Sequence, residues 1–256
     1  MIYLYGLANA SCASLADCLN EIDGLQGPLQ QTRIGPWTLV HSEHDQEEIM
    51  PRRRLLLAHT KVLEAMLTTG TVLPARFGLV AHEMSQIERL IHSVYDKINA
   101  EFEKVSGAVE LGVRVSFPRQ AALAATLDAH SLLRQEREAL QRKGTKAHFE
   151  IAAFGGKLAE EMDRRRGAAQ TTLLNAIRPL VRDHVLRKPE DDTEVLRAEF
   201  LVDAEAQRSF EEAIANAAAA LDFAAGEGPK INIIGPVPLC NFVNLNLSFD
   251  LDQEAA

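Results

Sequence analysis

Between Ile87 and Phe117 the hydrophobic period changes once, and that change constrains the fold more than any other feature of the chain. Ile87, Leu90, Ile91, Val94, Tyr95, Ile98, Phe102 and Val105 recur at spacings of three and four, the stripe of an amphipathic helix. After Ser106–Gly107, the residues Val109, Leu111, Val113, Val115 and Phe117 alternate with Glu110, Gly112, Arg114 and Ser116. That is the period of a half-buried strand. A helix apolar on one stripe next to a strand apolar on one face calls for a layered α+β core.

The same reading extends in both directions. Ile2 to Leu7 predicts a strand, and Ser11 a helix cap for a segment running through Cys18 and Leu19. Gly35–Pro36 predicts a turn before a strand at Trp37 to Val40. Asp45 to Thr69 reads as a helix whose regular part starts at Pro51, where a missing N–H costs nothing. TVLPARFG, Thr71 to Gly78, is strand-like, and its proline favours an edge or bulged position. Gln120 to Lys188 is rich in helix formers and reads as helical, separated at Gly144, with a break expected near Gly155–Gly156 or Gly167. Then follow a strand (Glu194 to Val202), a helix (Asp203 to Ala225) and two strands (Ile231 to Ile234 and Phe242 to Phe249). Counted from Val109, this order suits a ferredoxin-like arrangement with an enlarged first helical crossover. The expected fold is therefore α+β in two domains. These are an N-terminal mixed α/β domain, residues 1–106, and a C-terminal modified ferredoxin-like domain with an enlarged helical insertion, residues 107–256.

Composition and motifs exclude more than they assign. A net charge of −9 argues against general nucleic-acid binding, which needs a surplus of Lys and Arg. Three cysteines, Cys12, Cys18 and Cys240, give neither a disulfide framework nor CxxC spacing, so reduced thiols in a cytosolic protein are expected. The N-terminus lacks a signal-peptide pattern and no apolar run reaches membrane-spanning length, so a soluble intracellular protein without membrane partners is expected. No GxSxG, HExxH, Walker A or GxGxxG pattern is present, and no enzyme chemistry, metal or cofactor is implied. His41 and His44 with Glu43 and Asp45 imitate half a metal site, but their setting reads as a solvated helix entrance. His59, among apolar residues of a helix, reads as a packed or hydrogen-bonded structural histidine. The basic runs Arg52 to Arg54 and Arg164 to Arg166 adjoin acids, so pairing within the helix is expected for both.

Two segments stand out for backbone geometry. In TVLPARFG, Arg76 lies between a proline turn and Phe77–Gly78, where its planar fork could bridge carbonyls or a carboxylate and tie the loop down. In GPVPLCNFV, Pro236 and Pro238 set an extended connection, and Gly235 permits an unusual turn.

These segments carry a resemblance. TVLPARFG, preceded by LAHTKVLEAMLTTG, resembles the first signature of the GvpF/GvpL gas vesicle protein family, matching at Thr71, Val72, Leu73, Pro74, Arg76, Phe77 and Gly78. RAEFLVD, a helix with Phe210, and INIIGPVPLCNFV are similar to its C-terminal signature, and MIYLYGL also fits. The family's loop reads close to GPWPPYSFV. Here Gly235, Pro236, Pro238, Phe242 and Val243 match, while Val237, Leu239, Cys240 and Asn241 replace Trp, Pro, Tyr and Ser. The resemblance implies an accessory or minor structural protein of gas vesicle assembly, located at the vesicle in the cytoplasm. Its implied partners are the small hydrophobic shell protein and other gas vesicle accessory proteins. Shell binding is implied for the N-terminal domain, and Leu73, Pro74, Arg76, Phe77 and Gly78 are its candidate residues. Gly235, Pro236, Pro238 and Phe242 form the candidate structural loop. A general chaperone-like adaptor, or a small-molecule-binding ferredoxin-like enzyme, are the alternatives.

Overall fold

The structure, a computed structural model, describes residues 1–9, 12–143 and 148–245. It is a mixed α+β protein with two antiparallel sheets. Among the described residues, one compact unit is formed by 1–110 together with 236–245, the other by Leu111–Gly235. No helix among the described residues is long and apolar enough to cross a membrane.

In the first unit, β1 (Ile2–Ala8) is followed by α1 (Cys12–Leu19), β2 (Leu29–Ile34), β3 (Trp37–Glu43) and α2 (Arg53–Leu67). Then come β4 (Val72–Pro74), β5 (Val80–Ala81), α3 (Met84–Ser93) and α4 (Tyr95–Val105). The sheet runs β2-β3-β1-β4, with β5 also on β1. Strand β1 is an almost unbroken apolar run because both of its faces are covered. On one side Tyr3, Tyr5 and Ala8 meet Leu15 of α1 and Val62, Leu63 and Met66 of α2. On β3, Trp37 stacks on Phe102 of α4 at 5.8 Å between ring centroids. The proline of TVLPARFG is at the sheet edge, in β4, as its missing N–H requires.

Several expectations need correction here. Strand β2 was not expected: LQQTRI is mostly polar, and half-exposed edge strands give a weak period. Its turn was visible, however. Ile34 pairs with Trp37 across Gly35–Pro36, with Gly35 at φ +58. Pro36 holds its own φ negative, so this is the type II′ hairpin that needs glycine at its first central position. Asp45 to Arg52 is not helical, so the histidine pair does not sit at a helix entrance. The stripe from Ile87 to Val105 is divided into α3 and α4 at Val94 (φ −116, ψ 22). Helical bonding persists across the division, from Val94 N–H to Leu90 O and from Ile98 N–H to Val94 O, so one apolar face survives. Ser11 lies outside the described residues.

The second sheet contains β6 (Ala108–Ser116), β7 (Val181–Leu186), β8 (Glu194–Asp203) and β9 (Lys230–Val237), ordered β7-β8-β6-β9. Between β6 and β7 lie α5 (Arg119–Ala129), α6 (Ser131–Lys143) and α7 (His148–Ile177), and α8 (Gln207–Ala219) joins β8 to β9. Phe200 of β8 and Phe210 of α8 meet at 5.3 Å in the core. The solvated side of the sheet carries ion pairs, among them Arg114–Glu190 and Arg197–Glu190.

Helix α7 runs 30 residues, about 45 Å, straight through Gly155, Gly156 and Gly167, where a break was expected. Helix-breaking falls instead at Arg178–Leu180, where Pro179 lacks an N–H and leads into β7. Reading helix to Lys188 therefore missed a strand. The expected strand from Phe242 is absent over Phe242 to Leu245, while Asn246 to Phe249 and Gly144 lie outside the described residues. Strand β9 runs on through Gly235 and Pro236 to Val237, so the first half of GPVPLCNFV is edge strand and not loop.

Two glycine substitutions separate the roles of backbone approach and helix entropy. A Cβ on Gly6 would lie 2.7 Å from Leu73 O and 3.3 Å from Pro74 Cα, backbone atoms that cannot move aside. Gly6→Ala is expected to destabilise the fold by about 1–3 kcal/mol. Gly156→Ala, in open space on α7, is expected to stabilise it by about 0.5–1 kcal/mol. Denaturant midpoints shifting in the same direction for both would refute this account.

Candidate interaction surface

The chain offers two rigid loops, each held by a buried polar side chain. Tyr3, fully buried in β1, hydrogen-bonds His59 Nδ1 of α2 at 2.8 Å. His59 Nε2 lies 3.2 Å from Ala75 O, and Gly78 N–H reaches Tyr3 Oη at 3.4 Å. One consistent assignment satisfies every atom. Nε2–H donates to Ala75 O, Nδ1 accepts from the Tyr3 hydroxyl, and that hydroxyl accepts from Gly78. Phe77 packs edge-on against His59 at 5.8 Å, and Tyr5 stacks on it at 5.5 Å. Tyr5 in turn bonds Ser42 and accepts the Leu25 N–H. The structural role expected for His59 is thus what the geometry gives it.

The loop is tied by these groups and not by Arg76. That side chain is exposed, and its guanidinium has no hydrogen-bond or ion-pair partner among the described residues. Leu73 is buried in β4, while Pro74, Phe77 and Gly78 are half-buried, with Gly78 at φ +87. The candidate residues therefore sit together, but Leu73 faces the core. Bonds from Asn9 N–H to Thr71 O and from Ala75 N–H to Tyr5 O, with Leu7 opposite Leu73, turn the backbone groups of Val72 and Pro74 outward. Since Pro74 has no N–H, this edge is poorly suited to an added strand.

The second loop is anchored from Glu110, 1% exposed in β6 although the alternation put it on the polar side. Its carboxylate accepts the Asn241 N–H (3.1 Å) and the Asn241 side-chain amide (2.6 Å). On α4, Lys104 donates to Phe242 O at 2.7 Å and Glu101 accepts the Asn244 N–H. Leu239 and Phe242 are buried, and Phe242 and Val243 return their N–H groups to Leu239 O. These bonds group the segment after Pro236 with the first unit, whereas the sequence reading ran the C-terminal domain from 107 to 256. Gly235 and Pro236, at the end of β9, are exposed, and Pro238 after it is buried.

His41 and His44 turn to different partners. His41, buried in β3, bonds Thr32 Oγ1 at 2.9 Å, while His44 bonds Gln46. In the second unit a cleft of about 450 Å³ lies between the end of α7 and β7. Its Arg182 is bound to Asp203, and its His184 stacks on Phe200.

Comparison with known proteins adds the following. A sequence model of the family described as gas vesicle synthesis protein GvpL/GvpF matches residues 1–244. Gas vesicle protein F of Dolichospermum flosaquae is 28% identical over 218 residues, covering 83% of this chain and 86% of that one. Gas vesicle protein F of Streptomyces sp. (strain CB03234) is 26% identical over 244 residues, 94% and 98% of the two chains. The crystal structure of the gas vesicle protein GvpF from Anabaena sp. PCC7120 superposes with a TM-score of 0.79 over 96% of this chain and 99% of that one, at 23% identity. That of GvpF from Microcystis aeruginosa gives 0.66 at 26% identity, covering 95% and 99%.

Burial pushes the His59 pKa down from 6.5 to about 4. A lowered folded-state pKa leaves stability intact above pH 6.5 and removes it progressively as pH falls towards 4, because the unfolded chain takes the proton first. The loss over that window is expected to be on the order of 3 kcal/mol. In His59→Gln the pH dependence of the unfolding free energy between 6.5 and 4 should be shallower by one proton. An unchanged slope would mean that His59 is not held neutral.

Proposed function

Because this chain belongs to the gas vesicle synthesis protein GvpL/GvpF family, we propose that it is an assembly component that binds the small hydrophobic shell protein through its first unit. The observation that carries this reading is a rigid loop beside exposed apolar surface. The ARFG segment is pinned by Tyr3 and His59, and a Cβ built on its Gly78 would lie 3.9 Å from Ile49 O. Next to Ile49, Met50 is 69% exposed, and at the start of α2 Leu56 and Leu57 are 40% and 54% exposed. A subunit destined to line a gas-facing wall shows apolar surface before assembly and aggregates unless something covers it. A preformed apolar patch binds such a surface without first ordering a loop.

In this reading, residues 1–106 form the shell-binding domain. The second sheet forms a modified ferredoxin-like domain from 107, with α5 to α7 as its enlarged crossover. The β-α-β-β-α-β order and the central position of β6 and β8 support that assignment. Contacts with other gas vesicle accessory proteins, and a place at the vesicle in the cytoplasm, belong to the same proposal.

The test is capture of the purified shell protein by the full-length chain. Phe77→Ala together with Leu57→Ser should weaken capture about tenfold or more while leaving unrelated unfolded proteins uncaptured. No capture of the shell protein would end the shell-binding reading. Equal capture of unrelated clients would replace it with the general adaptor.

A further inference from the structure

The two basic runs have opposite fates. In the second, Arg164 pairs with Glu161 at 2.9 Å and Arg166 with Asp163 at 2.6 Å. Arg165 donates to Thr126 Oγ1 and to Asp222 O and lies over the Phe223 ring. That run is structural, as expected. In the first, Arg52, Arg53 and Arg54 are all exposed, and none has an ion-pair or side-chain hydrogen-bond partner among the described residues. The acids expected to pair with them do not; Glu47 contacts His82 instead.

Their position makes this a cost. Arg52 is the N-cap of α2 and provides no side-chain cap, and the first turn holds no acid. The N-terminal end of a helix carries partial positive charge, so three unpaired cations there oppose the helix. A local rule broken with no compensating contact is a mark of a surface kept for binding. Spacing joins the arginines to the exposed apolar residues. Arg53 is three and four residues before Leu56 and Leu57, and Arg54 is three before Leu57, so they share one face.

We infer that Arg52, Arg53 and Arg54 with Met50, Leu56 and Leu57 form a docking face for an amphipathic helix of a partner protein that carries acidic side chains along its apolar stripe. The inference deepens the proposed function by naming the chemistry of the partner at that surface, and it rests on that reading for its place in assembly. Charge complementarity identifies the occupant: three cations need anions, and three large apolar side chains need an apolar stripe between them. A helix fits better than a strand, because the patch lies along one helix face and Pro74 removes an N–H from the nearby β4 edge. A broad anionic membrane surface fits worse. Glu47 and Glu48, both exposed, immediately precede the patch and would meet that surface with like charge.

The test immobilises the full-length chain and offers three kinds of probe. These are the purified shell protein, each purified accessory protein of the same vesicle system, and vesicles of phosphatidylcholine with phosphatidylserine. Expected is capture of at least one protein probe, falling about tenfold between about 50 mM and about 300 mM NaCl. The triple change Arg52→Glu, Arg53→Glu and Arg54→Glu should abolish that capture, while Arg164→Gln leaves it unchanged. Acids suit the start of a helix, so the triple variant should melt no lower than the parent, and lost capture cannot be attributed to unfolding. The inference is overturned if no protein probe binds, if capture survives the triple change, or if only the vesicles bind. Arginine-dependent capture of an accessory protein without the shell protein would uphold this face and end the shell-binding reading. Shell capture indifferent to the arginines would do the reverse.

Discussion

The first unit depends on a buried hydroxyl meeting a neutral imidazole. Tyr3 and His59 come from elements 56 residues apart in sequence, and the 2.8 Å bond between them fixes how α2 lies on β1. Each group then spends its remaining capacity on the ARFG loop, at Ala75 O and Gly78 N–H. An all-apolar contact in the same place would bury as much surface but leave those two backbone groups without a side-chain partner. Polar satisfaction is therefore what makes the loop adopt one conformation. It also explains why the loop can be short and largely exposed at Arg76 without being loose. The aromatic rings of Tyr5 and Phe77 close off the imidazole, and this burial keeps it neutral.

Glu110 plays a related part for the C-terminal loop, with a carboxylate in place of an imidazole. A carboxylate 1% exposed is expensive unless its oxygens are satisfied, and Asn241 supplies both a backbone and a side-chain donor. With Lys104 and Glu101 of α4 holding Phe242 and Asn244, three side chains capture a segment that has left its sheet. The cost of burying Glu110 and the order of that segment are thus linked.

What could be read from sequence was what periodicity encodes. Strand β6, helix α8 and the stripe over α3 and α4 follow from spacing alone, because each buries a regular set of positions. Strands β2 and β7 are edge strands with polar, half-exposed faces, and their signals were their punctuation: Gly35–Pro36 and Pro179. The loop residues were legible as a cluster but not by role. Arg76 looked like the tie because guanidinium forks often are, yet the tie is made by Tyr3, 75 residues away from Gly78. Long-range partners of this kind leave no local trace. Likewise, the two arginine runs look alike in sequence. Only the fold shows that one has its acids one helical turn away, while the other begins a helix whose preceding acids lie in an irregular segment.

In the loop that GPVPLCNFV resembles, a proline stands at the position of Leu239. Its carbonyl, which a proline keeps, accepts the N–H groups of Phe242 and Val243, so the turn does not depend on which residue is present. Asn241 replaces serine and uses its longer amide to reach Glu110, adding a donor to a carboxylate that needs donors. Val237 ends the edge strand half-buried, and Cys240 is exposed as a residue although burial pushes its thiol pKa up to about 11. Pro238, Leu239 and Phe242 are buried, so of the positions that differ from the resembled loop one, Leu239, packs inward, while Val237 is half-buried and Cys240 and Asn241 are exposed. Glu110 and the α4 side chains Lys104 and Glu101 thus hold the segment through Asn241, Phe242 and Asn244, whichever side chains stand at 237 and 240.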